Sequence, residues 1–243
     1  MIEGLTVLAI VPARSGSKSI PDKNMARLGG LSLIARAGKV LSQVPWIDRR
    51  VISTDSERYA EEGRAYGLEA PFLRPPELST DRAGALDTIV HALETCERLD
   101  RQRYALVIIA EPTSPLREPT DIELTVKTLL KTGADSAVTV SRIDAKCHPY
   151  KVFSVVEGRL RYFSEKGKSI QGRQALGPLY ARNGLCYSFR RETLLTKRAL
   201  ITDNTASVIT ERPVANVDEP IDLLWAEFLL EKLQQQPTNP VWS

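Results

Sequence analysis

The sequence predicts an α/β protein built on a mostly parallel sheet with helices on both faces. Strand-like and helix-like segments alternate through the first half of the chain, the order that parallel strands joined by crossover helices require. In addition, residues 104–110 (YALVIIA) are apolar almost without interruption, as a strand covered on both faces must be.

Each element follows from its own pattern. Residues 5–12 are an apolar run ending at Pro12, and residues 31–44 carry apolar side chains at helical spacing. RVIST (50–54) is the next strand, and a polar helix runs from Ser56 to about Tyr66. Residues 85–99 are amphipathic, with Leu86, Ile89, Val90, Leu93 and Leu99 on one face. A helix begins near Pro119, whose fixed φ suits a first turn, and SAVTV (136–140) is again a strand. Residues 151–163 read as two strands around a turn at Glu157 and Gly158. Residues 161–178 are polar and glycine-rich, a poor core and a good arm or lid. Strands return near 185–189 and 207–210, and a helix spans about 219–233. Its Ile221, Leu224, Trp225 and Phe228 form a stripe expected to pack into the core. The organisation is therefore one domain over 1–233, with 141–182 inserted as an arm and 234–243 as a disordered, Pro-broken tail.

Composition excludes several function classes. Across 243 residues, 33 Lys+Arg face 30 Asp+Glu, a formal charge of +3, and 42% of residues are hydrophobic. That is a soluble globular chain rather than a disordered one. The basic residues are interspersed with acids and aromatics reach only 6%, so nucleic acid is not an expected partner. The N-terminal apolar run lacks a cationic flank and stops at Pro12, which fits a buried strand and neither a signal peptide nor a membrane span. Cys96, Cys147 and Cys186 form no CxxC pair and suit a reducing cytoplasm. With two histidines and no GxSxG, a Ser-His-Asp hydrolase is excluded as a working reading. His91 lies in a helical pattern and reads as structural; His148 is a loop residue without a nucleophile beside it.

Ligands of open parallel sheets sit beyond the carboxyl ends of the strands. That directs attention to PARSGSKSIPDKN, STD and EPTSPLR. In the first, Ser15, Gly16 and Ser17 alternate with Arg14, Lys18 and Lys23. Small residues let backbone N–H groups approach phosphate oxygens, and the cations neutralise their charge. The stretch matches neither GxxxxGK[ST] nor GxGxxG, and a solvated polar turn is the alternative. Asp55 either contacts a ligand or caps the following helix. EPTSPLR is a rigid turn in which Arg117 is a substrate wall or a surface pair. Asp218 and Asp222, with Glu219 between them, either hold a divalent ion or stabilise a helix start.

Taken together, IVPARSGSKSIPDKN (10–24), RPPELSTD (74–81), PTSPLR (112–117), RQALGPLYARNGLCY (173–187) and VDEPIDLLWAE (217–227) resemble the blocks of the acylneuraminate cytidylyltransferases, in family order. The resemblance implies a Rossmann-like nucleotidyltransferase fold with a small β-rich arm, and a homodimer. It implies a reaction in which CTP and an acidic nine-carbon 2-keto sugar give a CMP-sugar and pyrophosphate, with Mg²⁺. Carried residue by residue, Arg14, Lys23 and Asp218 are the catalytic candidates. Nucleotide contacts fall to Arg14, Ser15, Gly16, Ser17, Lys18 and Asn24, with Asp81, Ala83 and Ala85 where the pocket closes on cytosine. Arg173, Tyr187 and Glu111 border the sugar, and Asp218 with Asn216 marks the metal.

Two departures stand out. Glu111 replaces the family's Gln before PTSP, and Asn216 replaces an Asp. An ionised Glu111 disfavours a nearby acidic group yet accepts hydrogen bonds from hydroxyl or amine groups. Asn216 keeps an acceptor oxygen and loses the charge. Legionaminic- and pseudaminic-type acids are therefore candidates beside N-acetylneuraminic acid. The alternatives are a nucleotidyltransferase for another sugar or NTP, and a non-catalytic sugar-nucleotide binding protein with a weakened metal site.

Overall fold

The chain's fold, obtained as a computed structural model, is described for residues 1–170 and 172–235. In chain order the elements are β1 (Val7–Pro12), β2 (Arg27–Leu28), β3 (Leu31–Ser32), α1 (Leu33–Ser42), β4 (Arg49–Ser53) and α2 (Glu57–Ala65). Next come α3 (Ala85–Asp100), β5 (Leu106–Ile109), α4 (Pro119–Thr132), β6 (Ser136–Arg142), β7 (Phe153–Val156) and β8 (Arg159–Tyr162). The last are β9 (Tyr180–Arg190), α5 (Arg191–Leu195), β10 (Thr205–Ile209) and α6 (Pro220–Gln235). Six strands form the central sheet in the order β10-β6-β9-β5-β1-β4. β1 pairs parallel with β4 and β5, and β10 with β6, whereas β9 runs antiparallel to both of its neighbours.

Alternation along β1 divides the core. Val7, Ala9 and Val11 face Ile34, Ala37 and Leu41 of α1, Tyr59 of α2, and Ile122, Val126 and Leu129 of α4. Leu8 and Ile10 face the other way, onto Ile89, Val90, Leu93 and Cys96 of α3 and Leu194 of α5. Helices thus cover both faces, as the sequence predicts. The stripe on α3 shifts by part of a turn: Cys96 is buried and Leu99 is 51% exposed.

The final helix corrects an expectation. Ile221 and Leu224 are each 63% exposed, and Trp225 and Phe228 stack on each other at the surface, ring centroids 5.5 Å apart. α6 packs instead through Ala226 and Leu229, with Leu223 and Leu230 partly buried, against Leu28, Leu33 and Leu116. The helix is apolar on two faces, and spacing alone does not say which one meets the body. Gln234 and Gln235 belong to α6, and the rest of the expected tail, positions 236–243, lies outside the described residues.

The segment between β6 and β9 carries the β7–β8 hairpin. Glu157 (φ 52°) and Gly158 (φ 73°) form its turn, both left-handed as a two-residue hairpin with the sheet's twist requires.

Candidate active site

Because β1, β4 and β5 are parallel, their carboxyl ends and the three polar segments leaving them share one edge of the sheet. The antiparallel β9 starts at that same edge, where Arg182 pairs with Val140 near the end of β6. A cavity of about 1150 Å³ lies there. Among the residues expected from the sequence, Arg14, Asp81, Ala83 and Ala85 line it, together with Glu111, Tyr187 and Asn216.

The loop after β1 is pinned at several points. Asp55 accepts from both the backbone N–H and the hydroxyl of Ser15, each at 2.7 Å, so it anchors this loop; the cap of α2 is Ser56. Asp22 accepts from Arg58 at 2.9 Å and from the Tyr59 hydroxyl at 3.0 Å. Asn24 is buried, and its amide donates to the Arg14 carbonyl at 3.1 Å, which sets the course of the chain beneath Arg14. Gly16 adopts φ +69°, and the space beside it is open, so the backbone's hand rather than crowding selects glycine. Gly16, Ser17 and Lys18 do not line the cavity; Lys18 reaches its rim through Asp81.

Asp81 gathers two of the loop's cations. Arg14 Nη2 is 2.6 Å from one carboxylate oxygen and Lys18 Nζ 2.6 Å from the other. The lysine first, and then the arginine, holds the Asp81 carboxyl below its ordinary range. Arg74 is a cavity residue that sequence reasoning passed over, although RPPELSTD begins with it. It is buried, bonds the hydroxyl and carbonyl oxygens of Ser53, and is pushed down to about 10 by burial.

The remaining lining forms around a bulge in β9. Gly184 has φ +73°, and a Cβ there would lie 2.4 Å from Ser114 Oγ, 2.9 Å from Glu111 Oε2 and 3.5 Å from Asn216 Oδ1. The NG pair of the sequence is thus the point at which the strand meets the EPTSP turn and residue 216. Arg117 fastens that meeting. It is buried and donates to the carbonyls of Glu111 (2.6 Å), Gly184 (3.2 Å) and Leu185. It is neither a surface pair nor part of the cavity lining.

Burial raises Glu111 above the ordinary carboxylate range; Arg117 and Arg182 oppose this, and Asp218 adds to it. Tyr187 is pushed up to about 12, by burial first and then by Glu111. Lys23 Nζ lies 3.0 Å from Asp218 Oδ1, while the Asn216 amide donates to Asp218 Oδ2 at 3.1 Å. Asp222 lies in the first turn of α6 and reaches back: its carboxylate accepts from the backbone N–H groups of Asp218 and Glu219 at 2.8 and 2.7 Å, the reciprocal half of a capping box. Arg173 begins a short 3-10 turn, Arg173–Ala175, and its side chain lies outside the described residues.

Among the described residues, no three His, Cys, Asp or Glu cluster as a metal cage. The donors at residues 216 and 218 are nevertheless hard oxygens: the Asp218 carboxylate and the Asn216 amide oxygen. That set fits Mg²⁺, which takes one or two carboxylates and keeps much of its water.

Known proteins resemble this chain along most of its length. The chain is 29% identical over 233 residues to a CMP-N,N'-diacetyllegionaminic acid synthase of Legionella pneumophila, covering 95% of this chain and 99% of the relative. It is 33% identical over 208 residues to an N-acylneuraminate cytidylyltransferase of Streptococcus agalactiae, covering 82% of this chain and 46% of that longer protein. The fold matches a solved CMP:2-keto-3-deoxy-manno-octonic acid synthetase complexed with CTP, with a TM-score of 0.67 at 20% identity, covering 93% of this chain and 99% of that one. The family model described as cytidylyltransferase matches residues 8–216, from β1 through Asn216. With strand ends, cation-rich loop and bulged strand all within that span, the chain belongs to the cytidylyltransferase family.

Proposed function

We propose that the protein transfers the cytidylyl group of CTP to an acidic nine-carbon 2-keto sugar of the sialic, legionaminic or pseudaminic type. The observation that carries this is the shared cavity. Arg14 of the cation-rich loop and residues of the 81–85 segment line it together with Glu111, Tyr187 and Asn216, which leaves room for nucleotide and sugar side by side. The names of the relatives support the same substrates.

In this reading the sugar's anomeric oxygen forms a bond to the α-phosphorus. The bond from that phosphorus to the bridging oxygen breaks, pyrophosphate leaves, and the hydroxyl proton passes to solvent or a base. Arg14, Lys18 and Lys23 supply positive charge along the triphosphate, and Ser15, Gly16, Ser17 and Asn24 hold the loop that presents them. Such catalysis is mainly positioning and charge neutralisation. The segment carrying Asp81, Ala83 and Ala85 closes on the base, and Glu111 and Tyr187 border the sugar. Asp218, with the Asn216 oxygen, would hold Mg²⁺, which when bound offsets charge on the α-phosphate and the leaving group.

We assign residues 1–233 to one domain and 141–182 to an arm through which two copies pair. Val155, Leu160 and Phe163, exposed at 68%, 69% and 70%, support that assignment. Among the described residues no helix is long and apolar enough to cross a membrane, and the three cysteines are free, which supports a cytoplasmic site of action.

The test is pyrophosphate release with each of the four NTPs, with and without Mg²⁺, across N-acetylneuraminic, legionaminic, pseudaminic and neutral sugars. Turnover with CTP and an acidic sugar is the expected result. Silence across the acidic panel, or a preference for another NTP, overturns the reading. The weaker carboxylate set at Asn216 favours a second reading, a non-catalytic binding protein; activity that appears only in Asn216→Asp would support it.

A further inference from the structure

We infer that Arg182 is the residue that binds the sugar's carboxylate, whereas the resemblance places Arg173 beside the sugar. This rests on the reading of an acidic sugar and names the group that selects it.

Three cationic side chains line the cavity among the described residues: Arg14, Arg74 and Arg182. Arg14 is engaged by Asp81. Arg74 is buried and bonded to Ser53. Arg182 is exposed, lines the cavity and makes no ion pair or side-chain hydrogen bond among the described residues, so its guanidinium donors are left for a ligand. It stands two positions before the Gly184 bulge, on the strand that also carries Tyr187.

Glu111 makes such a cation necessary. A second carboxylate entering beside Glu111 meets repulsion unless a positive group faces it. The charge of Arg182 acts on both Glu111 and Tyr187, so it reaches the part of the cavity where the sugar must sit. A guanidinium binds a carboxylate through two parallel N–H donors, which fixes orientation as well as charge. Glu111 is then free to accept from hydroxyl or amide N–H groups elsewhere on the sugar.

The chain that follows Arg173 serves another place. Gln174, Leu176, Pro178 and Leu179 line a separate cavity of about 570 Å³ with Arg142 and His148. None of them lines the larger one.

The experiment measures pyrophosphate release with CTP and N,N'-diacetyllegionaminic acid, or with that sugar as its 1-carboxamide. It compares wild type with Arg182→Gln, Arg182→Lys and Arg173→Gln. In wild type the carboxamide is expected to raise the sugar KM by roughly tenfold or more, the loss of a charge-assisted pair. Arg182→Gln should show that loss on the acid and little further loss on the carboxamide, with the KM for CTP unchanged; Arg182→Lys should recover part of it. A wild-type KM for the acid in Arg182→Gln, or equal losses on acid and carboxamide, overturns the inference. So does a carboxylate-specific loss in Arg173→Gln alone. A wild type silent with every acidic sugar removes the functional reading itself, a result distinct from a null variant in an active enzyme.

Discussion

Arg14 and Asp81 are 67 residues apart in sequence, yet the guanidinium donates to the carboxylate at 2.6 Å across the edge of the cavity. Lys18 binds the second oxygen of the same carboxylate. Two cations assigned to the triphosphate are thus held by one acid. Asp81→Asn should release them and tighten binding of CTP or of inorganic triphosphate by a few-fold at low ionic strength. The gain should shrink at high salt, where exposed charges are screened. Isothermal titration at two salt concentrations checks this; weaker triphosphate binding in the variant would contradict it.

Glu111 should make the protein less stable at neutral pH than its glutamine variant. Burial raises its folded pKa above the ordinary value of 4.5. The folded state therefore holds the proton more tightly than the unfolded chain does. Its contribution is most favourable below the unfolded pKa and declines as pH rises through the folded pKa. Thermal melts of Glu111→Gln should exceed wild type at pH 7, with the difference closing toward pH 4. A constant offset across that range would count against the ionisation argument.

Asp222 reaches back from the first turn of α6 and fixes the backbone of Asp218. Asp222→Ala should cost about 1–2 kcal/mol by denaturant unfolding, the loss of two hydrogen bonds to a charged acceptor at the helix start. It should also raise the Mg²⁺ concentration needed for half-maximal turnover, since Asp218 loses its anchor. A stability loss with an unchanged metal requirement would separate the two roles.

Gly184 combines a left-handed φ with close neighbours on three sides. Gly184→Ala should lose about 1–3 kcal/mol of stability. Because the neighbours are Ser114, Glu111 and Asn216, the sugar KM should rise more than the KM for CTP. Equal changes in both would place the strain elsewhere.

Much of this was legible in the sequence. Apolar runs located the strands, and the rule that ligands gather at strand carboxyl ends selected the loops around the cavity. What escaped depended on partners distant in sequence. Asp55 reads from its own neighbourhood as a ligand contact or a helix cap, and only the fold brings Ser15 onto it. Arg117 reads from its turn as a substrate wall or a surface pair, but the three carbonyls that hold it come from β9 and from the start of its own turn. Arg182 lacks any local signal, because its meaning arises when an antiparallel strand delivers it beside Glu111. The apolar face of α6 chosen from spacing was the wrong one of two.

The position of β9 carries a consequence for how the protein is made. The ladder β4-β1-β5 forms from residues 7–109, and β6 is complete by Arg142, yet the two parts of the sheet are joined only through β9. During synthesis the first ladder therefore waits with the open edge of β5 unpaired until Arg190 has left the ribosome. Long-range pairing of this kind is slow, and an unpaired edge is prone to aggregate. Substitutions at buried positions of β9, Leu185 or Phe189 for example, should lower soluble yield more than they lower the melting temperature of the protein that does fold. The strand that completes the active site is also the seam on which productive biosynthesis depends.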